Sequence, residues 1–186
     1  AMAEPETPEV VKKEQDVFVK VIDLNEEMHT HQTGHFPYLS SHGNCYIMVV
    51  IHLDANYIFQ VAIKTWMEAQ IVQAYQTIMK IIRASGLSVE KYILDNKASN
   101  AFKEAMKEEG IKHELMPLGN HRRNMVKGAI QTFKAHFIAI LYGVDDAFPM
   151  HYWDRLLKHT ELTLNMLCQS NIAPKVLVYA HVHGPH

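Results

Sequence analysis

The chain has 186 residues, 48% hydrophobic and 20% charged, and carries a net charge of -2 when its 13 histidines are neutral. This is the size and mix of one soluble globular domain with a real core, and it excludes a global basic field, so any nucleic-acid contact must come from a local patch. Two distant cysteines, Cys45 and Cys168, form no disulfide framework and fit a reducing interior; no apolar run reaches membrane-spanning length.

Residues 1–15 read as a flexible linker, with Ala1-Met2-Ala3 resembling a cloning scar and Pro5 and Pro8 set among charges. The polar, acidic start shows no secretory signal, and both ends read as cut sites in a longer parent. DVFVKVID (16–23) alternates apolar and polar residues like an edge strand or lead-in. A strand is expected over 27–33, then a turn-rich connection over 34–43 with Pro37 and Ser40-Ser41. The β-branched apolar stretch 45–53 and the stretch 57–63 complete an antiparallel meander.

The apolar period then becomes helical. Ile71, Ala74, Tyr75, Ile78, Ile81 and Ile82 mark a helix over 66–84, stopped at Ser85-Gly86. A short strand follows at 91–95, a helix at 99–109 before Gly110, and a strand at 111–117. A long helix runs from 120 or 121 to 142, a last one from about 149 to 168, and 176–186 is left as a tail. A meander followed by strands alternating with helices implies one mixed sheet flanked by helices.

These elements carry TGHFPYLSSHGNCYIMV (33–49), DANYI (54–58), ILDNKASNAFKEAM (93–106), PLGNHRRNMVKGAIQTFKAHFIAIL (117–141) and FPMHYWDRLLKHTELTLNML (148–167). In that order they resemble the catalytic core of retroviral and LTR-retrotransposon integrases, over about 17–183; the phrase HRRN followed by AIQTFKAHF is the most specific part. The resemblance implies an α/β, ribonuclease-H-like fold with a five-stranded mixed sheet, and a core-like domain over 16–175. It also implies a strand transferase in which three carboxylates hold two Mg²⁺, because an attacking and a leaving oxygen must both be stabilised and hard cations require oxygen ligands.

Carried over residue by residue, the first carboxylate position falls on His31, the second on Asp95 and the third on Lys127. One acid of three is kept. Imidazole suits Zn²⁺ or Mn²⁺ better than Mg²⁺, so Asp95 and His31 are the remaining metal candidates, and the ammonium of Lys127 argues against any metal there. The expectation is a catalytically inactive module with no cofactor. The alternative is an active metal-dependent polynucleotidyl transferase, with Mg²⁺ or Mn²⁺ held by Asp95 and substitute ligands drawn from His31, Glu27, Asp23 and Asp54.

Arg123, Lys127, Gln131 and Lys134 form one polar stripe of the long helix, opposite Val126, Ile130, Phe133, Phe137 and Leu141. His121, Arg122 and Arg123 stand at the helix start, where backbone N–H groups suit phosphate oxygens. His121, Arg122, Arg123, Lys127 and Lys134 are therefore the candidate DNA or RNA contacts. Alternation puts His29 and His31 on one strand face, where a zinc site is geometrically possible, but His29, His31, His35, His42 and Cys45, with His181, His183 and His186, match no zinc-finger spacing and are expected as surface histidines. Trp66, Tyr75 and Trp153 are expected in the core or at a dimer surface. By the resemblance, a homodimer through 66–84 and 150–167 is expected, with no membrane contact, in an intracellular setting whose nuclear placement follows only from the family's DNA substrates.

Overall fold

The computed structural model describes residues 25–94, 98–115 and 122–184, and for residues 32 and 122–126 the backbone alone. The linker 1–15, the lead-in 16–23, and Asp23, Asp95, His121 and His186 lie outside the described residues.

Five strands form one sheet: β1 (Glu27–Gln32), β2 (Tyr46–His52), β3 (Tyr57–Ile63), β4 (Lys91–Leu94) and β5 (Lys112–Leu115), in the order β3-β2-β1-β4-β5. β1, β2 and β3 pair antiparallel, whereas β4 joins β1, and β5 joins β4, in parallel. The reason lies in the connections. The short link 53–56 between β2 and β3 permits only the antiparallel return, while α1 (Glu68–Ala84) and α2 (Asn100–Glu108) supply the crossovers that parallel neighbours need. Ser99 caps α2 by accepting from the Phe102 amide at 3.3 Å, and Gly110, at φ +74°, takes the left-handed conformation that ends it.

Alternation along β2 divides the core into two layers. Met48 and Val50 face Tyr75, Ile78 and Ile82 of α1 and Phe102 and Met106 of α2. Ile47, Val49 and Ile51 face Ile130, Phe133 and Phe137 of α3 (Arg122–Gly143), together with Trp153 and Leu157. Burying each large side chain contributes about 1.5–3 kcal/mol, so the apolar stripe of α3 fixes which helix face turns outward. Tyr75 and Trp153 are wholly buried, and Trp66 packs against the first layer.

Three elements differ from the sequence expectation. β1 ends at Gln32. The last predicted helix divides into a 3-10 turn, Met150–Arg155, and α4 (Leu156–Met166). The expected tail contributes α5 (Val178–His183), whose Val178 and Val182 are buried in the first layer. Six residues are too few to hold a helix alone; burial holds α5.

Candidate functional site

The site is built on β1. Strand alternation puts Glu27, His29 and His31 on the face covered by α3, and Met28 and Thr30 on the other, where Thr30 hydrogen-bonds the Tyr92 hydroxyl. His31 pairs in register with Val49 and is exposed. His29 pairs with Ile51 and is 1% exposed, and Glu27 is 2% exposed. His29 Nε2 lies 3.7 Å from Glu27 Oε2, yet neither ring nitrogen is hydrogen-bonded. Lys91 on β4 joins the row, its Nζ 3.7 Å from Glu27 Oε1 and 2.6 Å from Glu114 Oε2 on β5.

The expectation of surface histidines thus fails for His29. β1 is the middle strand of five with α3 packed over it, and His29, unlike His31 at the exposed end of the same face, lies in the covered part. The other members of the predicted cluster are drawn elsewhere. His35 sets its ring edge-on to Tyr46 at 5.2 Å, and the Cys45 thiol donates to the Lys64 carbonyl at 2.9 Å. His42 Nδ1 lies 2.8 Å from Asp154 Oδ2, which also accepts from Asn44 Nδ2 at 2.9 Å. Partial burial pushes the Asp154 carboxyl up, but hydrogen bonds from Ser40, His42 and Asn44 outweigh it and hold the group below the usual range.

The connection after β1 is pinned to the 3-10 turn. Phe36 stacks on Trp153 at 4.3 Å, and the Trp153 indole donates to the Tyr38 carbonyl at 2.8 Å. Those contacts fix where the exposed end of β1 and His31 stand.

On α3, Lys127, Gln131 and Lys134 are exposed while Ile130, Phe133 and Phe137 are buried, as the stripe predicts. Arg122 and Arg123 occupy the first turn of α3, with side chains outside the described residues. Asp95 follows Leu94, the last residue of β4, and is likewise outside.

Two of the substitute ligands are displaced from His31. Glu27 is four residues back along β1, roughly 13 Å at strand rise. Asp54 sits in the β2–β3 turn, its Oδ2 accepting from the Glu26 amide at 2.5 Å, beside the start of β1. Neither stands beside His31, and Asp95, the acid that they would have to join, lies outside the described residues. A two-metal centre needs clustered carboxylate oxygens. Of the three positions assigned by the resemblance, His31 offers an imidazole and Lys127 an ammonium, Asp95 lies outside the described residues, and among the described residues no group of three His, Cys, Asp or Glu side chains is placed to hold an ion. The described donor set does not fit a Mg²⁺ pair.

No family model matches the sequence, and no curated protein matches it. Solved structures do match by shape. The catalytic core domain of BIV integrase superposes with a TM-score of 0.63 at 13% identity, over 84% of this chain and 93% of that one. A chain of the simian T-cell lymphotropic virus intasome, in complex with PP2A regulatory subunit B56 gamma, superposes with a TM-score of 0.63 at 16% identity. That match covers 86% of this chain, which spans only 55% of the intasome chain. With its five-stranded mixed sheet, its flanking helices and these neighbours, the chain has the ribonuclease-H-like fold of a retroviral integrase catalytic core.

Proposed function

We propose that the chain is a non-catalytic integrase-fold module that binds nucleic acid through the outer face of α3 and associates as a homodimer. One observation carries this reading. Lys127 is exposed on α3 beside Gln131 and Lys134, at the position the resemblance assigns to a metal-binding carboxylate. A protonated amine has no lone pair for a metal and attracts phosphate instead. Two lysines on one helix face, with Arg122 and Arg123 in its first turn, suit sequence-independent contact with a phosphate backbone. The likeness to an integrase core and to an intasome chain supports a nucleic-acid partner. For the dimer, Met67, just before α1, is 69% exposed, and Leu167, just after α4, is 77% exposed, on the two segments the resemblance assigns to self-association.

The test is fluorescence anisotropy with short duplex DNA and RNA at low salt, comparing wild type with Lys127→Glu/Lys134→Glu. The reading requires saturable wild-type binding that the variant weakens at least tenfold with its circular dichroism unchanged. Absent binding, or unchanged affinity, removes it. Strand transfer dependent on Mg²⁺ or Mn²⁺ would favour the active alternative built on Asp95.

A further inference from the structure

The column Glu27–His29–His31 poses a separate question, independent of whether nucleic acid binds. His29 is 1% exposed, and neither its Nδ1 nor its Nε2 is hydrogen-bonded. A buried imidazole left so is costly, and an orphaned buried polar group calls for a ligand, ion or water. Two residues along the same strand face stands His31, at the exposed end. Residues i and i+2 of a strand lie roughly 6.6 Å apart, a separation that two imidazoles bridge through one ion with metal–nitrogen bonds of about 2.0–2.1 Å. On the far side of His29, Glu27 Oε2 lies 3.7 Å from Nε2 and is itself buried. A metal-bound histidine commonly directs its other ring N–H to a carboxylate, which fixes the tautomer and raises ligand basicity.

We infer that His29 and His31 form a two-histidine site for one borderline divalent ion, Zn²⁺, with Glu27 as the carboxylate that orients His29. In this arrangement His29 binds through Nδ1 and holds its proton on Nε2 toward Glu27. His31 closes the site from the solvent side, and water completes the coordination. Glu27 acts as the orienting group and is not a ligand to the ion, because roughly 13 Å of strand separates it from His31. Imidazole donors select Zn²⁺ and Co²⁺ over Mg²⁺, so the end of β1 that cannot hold a Mg²⁺ pair suits a different ion. The ion would tie the middle strand to its exposed end; it would not supply the two-metal chemistry of an integrase.

The experiment is Zn²⁺ titration calorimetry on the full chain without nucleic acid, with Co²⁺ absorption as a second readout. Wild type should take up one Zn²⁺ per chain at a saturable site. His31→Ala, a change at an exposed position, should keep the circular dichroism and weaken binding at least tenfold. Glu27→Gln should weaken it by about 10–100-fold. His113→Ala and His159→Ala, at exposed histidines elsewhere, should leave it unchanged. His29→Leu should abolish binding and unfold at a higher temperature than metal-free wild type, since it removes an orphaned polar group; if it fails to fold, His31→Ala decides. Absence of saturable Zn²⁺ binding would overturn the site, as would affinity unchanged in His31→Ala or lost equally in His113→Ala. Because nucleic acid is absent, none of these outcomes depends on the function proposed above.

Discussion

The side chain of Asn165 on α4 pairs with the backbone of Ile58 on β3 like an added strand: Oδ1 accepts from the Ile58 amide at 2.9 Å, and Nδ2 donates to the Ile58 carbonyl at 3.0 Å. β3 is an edge strand of the sheet, and an uncovered edge leaves unpaired donors and acceptors. One amide covers both. Asn165→Leu would bury the Ile58 N–H and C=O without partners. It should destabilise the protein by about 2–4 kcal/mol, read as a lower urea midpoint with an unchanged slope.

Stability should depend on pH through His52. Its Nε2–H donates to the Ser88 carbonyl at 2.9 Å, and its Nδ1 accepts from the Ala55 amide at 3.2 Å. Only the neutral ring makes both bonds. Burial holds its pKa below the ordinary 6.5, against the Ser88 hydrogen bond and the Asp54 and Glu26 charges, which raise it. The unfolded chain therefore protonates first, and stability falls as pH drops below 6.5. Urea unfolding at pH 7.5 and 5.5 should show His52→Gln gaining stability relative to wild type at the lower pH; a constant difference would show that His52 does not titrate there.

Glu161 acts in the opposite sense. Burial pushes its carboxyl up to about 7 from an ordinary 4.5, although hydrogen bonds from Tyr57 and Gln60 and the Lys158 charge pull it down. The folded state holds this proton more tightly than the unfolded chain, so the contribution is fully present below pH 4.5 and is lost as pH rises through 7. The effect is on the order of 3 kcal/mol. The stability of Glu161→Gln relative to wild type should therefore improve between pH 5 and 8; a constant difference would show that Glu161 does not titrate there.

Trp153 links the site to its support. Trp153→Phe keeps the ring beside Phe36 and Phe137 but removes the donor to the Tyr38 carbonyl. A loss of about 1–2 kcal/mol is expected, with hydrogen exchange accelerated over 34–45 more than in α1.

Much of this was legible in the sequence because each signal was local. The β-branched stretch of β2, the helical period of α1 and the Gly110 stop after α2 each declare an element without help from distant residues. The stripe of α3 was equally plain, since Ile130, Phe133 and Phe137 recur at helical spacing and Lys127 and Lys134 fall opposite. The unpredicted features depend on partners remote in the chain. α5 exists because Val178 and Val182 meet a core assembled from other elements. The burial of His29 depends on which strands flank β1, and the role of Asn165 depends on the position of β3 at an edge. The displacement of Glu27 and Asp54 from His31 is a matter of register, fixed only once the sheet forms.

If binding rests on α3, salt should report it. Reversing Lys127 or Lys134 singly should lower the slope of log affinity against log salt by about one each, across all sequences tested. A slope unchanged by both would place the contact elsewhere.

If His31 and Lys127 mark a two-Mg²⁺ centre taken apart on an intact scaffold, Mg²⁺ titration calorimetry on wild type and on His31→Asp/Lys127→Glu will reveal it. Wild type should show no saturable Mg²⁺ binding, and the restored variant should bind clearly. Wild type binding Mg²⁺ as tightly as the variant would contradict it.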